Sequence, residues 1–490
     1  MDYIVGIDQS TQGTKALLFD GAGALLCRTD LPHRQIINEK GWVEHDGEEI
    51  YENTIQVVKN LAAKAGIDKS HIKGLGISNQ RETAIAWNRM TGKPVYNAIV
   101  WQCARGAYIC DRLEKEGVSE LIRLHTGLKL SPYFSAAKLG WLMEQVPEAA
   151  TLAKEENLCC GTMDSWLVYR LTGGKEYRTD YSNASRTQLF NIETLQWDEE
   201  ICRMFGIPAG SLPQVTGSDS CFGYTDFEGF LDSPIPIHGV LGDSHGALYG
   251  QGCLKKGMIK TTYGTGSSVM MNIGEKPVLS EKVVTSLAWH MGGKATYVLE
   301  GNINYTGAVI TWLKDSVHLI DSPGETEELA RMASPDDQTY LVPAFSGLGA
   351  PYWDSRASAM FYGMSRLTGR AELVKAGLQS IAYQITDVVK AMEEESGIPI
   401  RELRVDGGPT KNRYLMQFQS DMAGIAVGVP SEEELSGIGA AYAAGIAMGL
   451  YEEARLFGRM ERTFFTPAME ADERTARYGG WKHAVSKVLE

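Results

Sequence analysis

Two stretches of the chain gather side chains suited to holding an anion. In YIVGIDQSTQGTKALLFD, Tyr3 to Asp20, the apolar runs Tyr3–Ile7 and Ala16–Phe19 flank a turn of one carboxylate, hydroxyls and a glycine. Gly, Ser and Thr in a turn let backbone amides and hydroxyls converge on phosphate oxygens without a Cβ clash. Asp8 then suits the magnesium that accompanies a nucleoside triphosphate, since Mg²⁺ takes oxygen ligands and keeps several waters. Lys15 adds a point charge for the phosphates. The alternative is an Asx-type hairpin in which Asp8 caps local amides. A second strand–turn–strand, MIKTTYGTGSSVMMN at Met258–Asn272, favours phosphate binding.

Two more stretches, EGNINYTGAVITW (Glu300–Trp312) and VDGGPTKNRYLMQ (Val405–Gln417), read as a strand, a glycine-containing turn and a helix. Glycine there lets backbone approach a base or ribose closely; the alternative is a helix start with permissive glycines. LGDSHGALYGQG (Leu241–Gly252) sets Asp243 at a strand end before a helix. The GxxxxGK[ST] pattern does not occur, and GLGISNQ (Gly74–Gln80) lacks the third glycine of a dinucleotide loop, so a nucleotide site here follows another pattern.

The elements that must position these groups alternate. Strand-like runs at Ile72–Ser78, Ile99–Trp101, Val240–Leu241, Ile259–Tyr263, Tyr340–Val342 and Leu403–Val405 lie between helix-like stretches such as Glu48–Ala65, Ala104–Glu116 and Arg370–Ser396. This predicts an α/β architecture with mixed or parallel sheets. At 490 residues the chain exceeds one ordinary core, and the repeated hairpin suggests two related domains facing each other, divided near residue 248 into 1–248 and 249–490.

With 47 basic against 61 acidic residues the net charge is −14, which argues against a sequence-independent nucleic-acid surface. The eight cysteines form no CxxC pair and no Cys/His cluster of zinc spacing, which suits reduced thiols in the cytoplasm. The start of the chain has no basic run of a signal peptide. The longest apolar run, Ile438–Leu450, is too short and glycine-rich to span a bilayer and reads as a buried helix.

YFSAAKLGWLMEQ (Tyr133–Gln145) and GMSRLTGRAELVKAGLQSIAYQ (Gly363–Gln384) resemble the two signature stretches of the FGGY carbohydrate kinase family. GWVEHD (41–46), ISNQRET (77–83), YNAIVWQC (96–103), DYSNASRTQLFNI (180–192), PAFSGLGAPYWD (343–354) and LRVDGGPTKN (403–412) extend the resemblance over the whole chain, nearest to the glycerol kinase branch. It implies the hexokinase–actin–chaperone ATPase fold: two actin-like, RNase H-like domains with an interdomain cleft that closes over ATP and substrate. Carried over by position, Thr11, Gln12, Gly13 and Lys15 surround the phosphates, joined by Gly264 and Thr265. Gly307, Thr311, Gly408 and Asn412 line the adenosine site. Arg81, Glu82, Trp101, Tyr133 and Asp243 face the substrate, and Asp8 and Asp243 hold Mg²⁺ through water. The resemblance further suggests a homodimer or homotetramer, while the acidic balance and the shortness of the apolar run leave no nucleic-acid or membrane partner expected.

Within that frame the residues specify chemistry. Arg81 donates a fork of N–H groups and Glu82 accepts, so the pair can read adjacent hydroxyls of a polyol, with Trp101 a flat face for C–H groups. A surface salt bridge beside a buried Trp is the alternative. Asp243 can orient a primary alcohol and accept its proton. His245 is an alternative base, although a histidine at such a helix start is more often a packing group. An actin- or chaperone-like ATPase with no small acceptor shares the fold, but has no need of a polyol-reading pair.

Glycerol phosphorylation is the first expectation. Where most glycerol kinases carry Gln after the aspartate and an aromatic beyond the second hairpin's GTG, this chain has Ser244 and Ser268. Both lie on the substrate side and leave a wider, more polar pocket, which raises the alternative of a polyol or ketose of four or five carbons. Lys15 and Thr311 replace the usual Arg and Gln. The segment DFEGFLDSPIPIHG (226–239) has no basic, glycine-rich loop for a sugar bisphosphate, so such inhibition is not expected.

Overall fold

The computed structural model describes residues 2–489. The runs on either side of Thr11 form an antiparallel hairpin, β1 (Tyr3–Gln9) and β2 (Gly13–Phe19), with Asp8 opposite Lys15. β3 (Leu25–Pro32) continues the ladder beside β2. On the other side β4 (Ile72–Asn79) runs parallel to β1, and β5 (Ile235–Gly242) runs parallel to β4. A parallel neighbour requires a crossover, and α1 (Gly47–Ala65) supplies the first one. Asp46 caps that helix by accepting from the Glu48 amide, and Gly66 ends it at a φ of 62°.

Asp243 opens the next helix, α2 (Asp243–Gly250). The second lobe repeats the plan. β6 (Ile259–Tyr263) and β7 (Ser267–Gly274) form its central hairpin, and β8 (Val284–Met291) and β9 (Lys294–Ile303) extend it antiparallel in the order β8-β9-β7-β6. β10 (Glu402–Asp406) and β11 (Ala426–Pro430) lie parallel beyond β6, and β12 (Arg462–Phe465) closes the sheet. Its helices include α3 (Gly307–Asp315), α4 (Arg370–Ser396) and α5 (Arg413–Ala423).

The apolar run near the end of the chain is α6 (Leu435–Ala447), and it packs on the first lobe. β1 is buried on both faces and so does not alternate. Val5 and Ile7 meet Ile50, Ile55 and Val58 of α1, while Ile4, Leu17 and Phe19 meet Ile438 and Ala441 of α6. Each such side chain buried is worth about 1.5–3 kcal/mol. A Cβ at Gly439 would lie 1.9 Å from the Gly246 carbonyl oxygen, so glycine is what lets α6 rest on α2 and fix the helix that carries Asp243.

Two expectations shift locally. Strand pairing stops at Ala98–Ile99, because the Trp101 amide turns to the Thr83 hydroxyl, 3.2 Å away, instead of the ladder. The helix expected from Ala104 begins at Ala107. Among the described residues no helix is long and apolar enough to cross a membrane.

Candidate active site

A cleft of about 590 Å³ opens between the two central hairpins. Thr11 and Gln12 from the β1–β2 turn face Gly264 and Thr265 from the β6–β7 turn across it, with Arg81, Glu82, Trp101, Tyr133, Asp243, Ser244 and Ser268 on its walls. The second hairpin's turn is held from behind: Thr306 and Ala308 amides donate to the Thr265 carbonyl at 3.0 Å, and the Gly307 amide to the Gly264 carbonyl at 2.9 Å. Gly307 therefore shapes the β6–β7 turn through its own backbone.

Asp243 occupies the switch from β5 to α2, where a strand end delivers a carboxylate into the cleft; 35% of its side chain stays exposed. Its Oδ1 accepts from the Ser244 amide at 2.6 Å and lies 3.2 Å from Arg81 Nε. A Cβ on Gly242 would come within 2.7 Å of Arg81 Cγ, so the residue before the carboxylate must be small for the arginine to pass.

Arg81 and Glu82 are both buried, with Nε and Oε1 4.0 Å apart, so in place of the surface salt bridge considered as the alternative the pair belongs to an interior network. Arg81 Nη1 and Nη2 grip Glu300 at 2.8 and 2.9 Å, and Arg186 Nε holds Glu82 at 2.6 Å. Arg186 Nη1 also reaches Glu300 at 3.0 Å. Although burial pushes the Glu300 carboxyl up, Arg186 and Arg81 hold it well below the usual carboxylate range. Glu82 takes a positive φ of 60°, an uncommon conformation for a residue with a side chain, at the point where the chain turns into the cleft.

The aromatic wall is a pair. Trp101 and Tyr133 meet edge to face at 5.6 Å, and Trp101 Nε1 donates to the Thr11 hydroxyl at 2.9 Å. Behind Tyr133 the buried Lys138 ammonium donates to the carbonyls of Pro132, Tyr133 and Phe134 at 2.7, 2.5 and 3.1 Å. Burial pushes that ammonium down to about 7. His245 is fully buried with Nε2 3.5 Å from Ser286 Oγ, and burial together with Arg81 holds its proton affinity far below the ordinary value. It stays neutral near pH 7 and faces the core.

Other expected residues lie outside the cleft wall. Asp8 is buried in β1, 3.3 Å from Ser78 Oγ and 3.8 Å from Lys15; burial pushes its carboxyl up to about 6, with Lys15 opposing and Asp243 adding to the rise. Lys15 is also paired with Glu434 at 2.7 Å. The Gly13 carbonyl closes the first turn by accepting from the Ser10 amide at 2.9 Å. Thr311 is exposed and bonds back to the Gly307 carbonyl. Asn412 caps α5 by accepting from the Leu415 amide at 2.9 Å, and its amide donates to Thr326 Oγ1 at 3.0 Å, so both ends of its side chain are already engaged. A Cβ at Gly408 would meet no atom within 4 Å, which leaves open space over that backbone.

Glu300, Arg186 and Lys138 carried no assigned role in the sequence reading. The cleft also gathers Gln35, Gln102, Thr262, Ser267, Asn302, Ile303 and Asn304; all but Gln35 lie within the quoted stretches, where none of them carries a role of its own.

Two opposed hairpins, a wall of Arg81, Glu82, Trp101 and Tyr133, and the partly exposed Asp243 carboxylate are parts that a small-molecule kinase needs. The model of the FGGY family of carbohydrate kinases, N-terminal domain, matches residues 3–250, and that of its C-terminal domain matches residues 259–448. The chain belongs to the FGGY family of carbohydrate kinases. As an FGGY kinase it takes ATP as its phosphoryl donor. It is 46% identical to glycerol kinase 1 of Thermotoga maritima, covering 99% of both chains. It is also 46% identical to a glycerol kinase of Caldanaerobacter subterraneus, covering 99% of this chain and 98% of the other. A crystal structure of Plasmodium falciparum glycerol kinase with ADP superposes with a TM-score of 0.94 at 36% identity, covering 100% and 99% of the two chains. A gluconate kinase of Lactobacillus acidophilus, 21% identical with a TM-score of 0.89, shares the fold over 99% of this chain and 97% of its own.

Proposed function

We propose that this FGGY kinase transfers the γ-phosphoryl group of ATP to a primary hydroxyl of glycerol, giving sn-glycerol 3-phosphate and ADP. The observation that carries the reading is the placement of Asp243: a cleft carboxylate held by Arg81, between two amide-lined turns. The relatives named glycerol kinase, matched over nearly the full chain, support the choice of polyol.

The hydroxyl lies against Trp101 and Tyr133, while Arg81 and Glu82 read its neighbours. Asp243 accepts the hydroxyl proton as the O–P bond forms and the bond to the ADP oxygen breaks. Because the transition state is loose, most of the acceleration comes from positioning and from stabilising charge on the transferring group. The turns at Thr11–Gly13 and Gly264–Thr265 donate amides and hydroxyls to it, and Lys15 adds charge. Gly307, Thr311, Gly408 and Asn412 border the nucleoside.

Asp8 and Asp243 fit a magnesium ion held through water. The Asp8 carboxyl is pushed up mainly by burial and in part by the charge of Asp243, and the two carboxylates offer the oxygen donors Mg²⁺ prefers. Held there, magnesium would supply positive charge against the nucleotide's phosphates. The lobes divide as 1–248 and 249–490, and the protein works in the cytoplasm as a homodimer or homotetramer.

A second reading, a polyol or ketose of four or five carbons, is favoured by one feature. The aromatic side chains on the cleft wall, Trp101 and Tyr133, both come from the first lobe, while the opposite wall is small and polar at Ser268 and Asn302. ATP-dependent turnover over glycerol, erythritol, ribitol and ribulose separates the two. Glycerol leading in kcat/KM by roughly tenfold, the discrimination a methylene-sized fit supplies, supports the first reading. A lead of the same size for a longer substrate replaces it with the second, and ATP turnover independent of every polyol sinks both.

A further inference from the structure

Glu82 and Asp243, the two carboxylates on the cleft wall, are joined through the interior by alternating charges. Glu82 accepts from Arg186, Arg186 reaches Glu300, Glu300 takes both Nη atoms of Arg81, and Arg81 Nε meets Asp243. The middle of this chain is Glu300, which is wholly buried, does not line the cleft and comes from the second lobe.

Its strand does two things. At Glu300, β9 grips the arginine that faces the polyol. At its far end Asn302 and Ile303 reach the cleft wall, and just beyond it Thr306, Gly307 and Ala308 hold the Gly264–Thr265 turn with three amide hydrogen bonds of 2.9 to 3.0 Å. β9 also pairs directly with β7 of that hairpin, Asn302 opposite Ser268 and Glu300 opposite Met270. A bidentate guanidinium–carboxylate pair fixes the plane of both groups. A small slide or tilt of β9 therefore moves Arg81 and the phosphate turn together.

We propose that Glu300 is a positioning residue that couples polyol binding on the first lobe to nucleotide binding at the second lobe's hairpin. It touches neither substrate and acts through Arg81 and its own strand; the inference rests on the polyol kinase reading above. Glutamine at this position keeps the shape but leaves two guanidiniums sharing one neutral carbonyl oxygen. The orientation of Arg81 then no longer follows the strand.

The test uses the full-length protein. Glycerol turnover is measured first, and then the dissociation constant of a non-hydrolysable ATP analogue with magnesium is measured by calorimetry, with and without saturating glycerol. In the unaltered protein glycerol tightens the analogue by roughly fivefold or more, the usual scale of coupling between sites. In Glu300→Gln that ratio falls to about one, while the analogue's affinity without glycerol stays within about threefold of the original. Glu300→Asp keeps the charge on a shorter arm and gives an intermediate ratio; it carries the test if the glutamine variant does not fold. A purely structural role lowers melting temperature and both affinities but leaves the ratio alone. An unchanged ratio in a folded variant, or a ratio of one in the unaltered protein, overturns the proposal. If no polyol is turned over at all, the kinase reading falls first and this proposal falls with it.

Discussion

The indole Nε1 of Trp101 donates to the hydroxyl of Thr11 at 2.9 Å. One side chain thus ties the aromatic wall of the cleft to the β1–β2 turn. A neutral hydrogen bond of this kind contributes about 1 kcal/mol, a factor of roughly five in an equilibrium constant.

Trp101→Phe keeps an aromatic face and removes only the donor. The Michaelis constants for polyol and for ATP should rise together, each by roughly fivefold. Steady-state kinetics with both substrates varied will show it. A rise confined to the polyol would mean that the two sites are not linked through this contact.

Lys138 gives a pH signature. Burial pushes its ammonium down to about 7 in the folded protein, from the 10.5 of an ordinary lysine. Between those values the unfolded chain binds more protons than the folded one, so stability rises with pH over that window, by about 1.4 kcal/mol per pH unit at most. The contribution is complete above 10.5 and is lost as pH falls through 7. Urea midpoints at pH 7, 8 and 9 should climb in the unaltered protein relative to Lys138→Met. Parallel trends in the two proteins would contradict the assignment.

Ser244 and Ser268 both line the cleft. The double change Ser244→Gln with Ser268→Phe narrows it and should shift the glycerol-to-erythritol ratio of kcat/KM toward glycerol by roughly tenfold, since one methylene of fit is worth about 1–3 kcal/mol. Competition between the two polyols in one assay reads the ratio directly. No shift would place the specificity elsewhere.

What could be read without coordinates was mostly local. The two hairpins, the helix Arg370–Ser396 and the delivery of Asp243 at a strand end follow from short patterns of apolar runs, small turn residues and periodicity. The charge network does not, because Arg81 and Glu300 are 219 residues apart and Glu82 and Arg186 are 104 apart, and neither pair leaves a local trace. An arginine inside an otherwise uncharged segment, SNASRTQLFNI, was the available signal for Arg186, since a buried cation requires a partner. Asn412 illustrates the opposite case. Its place just before an amphipathic helix is a helix-cap pattern, and the cap is what its side chain forms. That α6 returns to the first lobe was equally illegible, because an all-round apolar helix says that it is buried but not against what.

The most direct measurement on the central claim is Asp243→Asn in an assay of ATP-dependent polyol phosphorylation, paired with nucleotide binding on the same preparation. Asparagine keeps the shape but cannot take up the hydroxyl proton. Turnover should fall by roughly a hundredfold to ten-thousandfold, the range for a positioned general base, while nucleotide affinity changes by less than about twofold. Turnover within about tenfold of the original, or nucleotide affinity lost in proportion to turnover, would contradict the account.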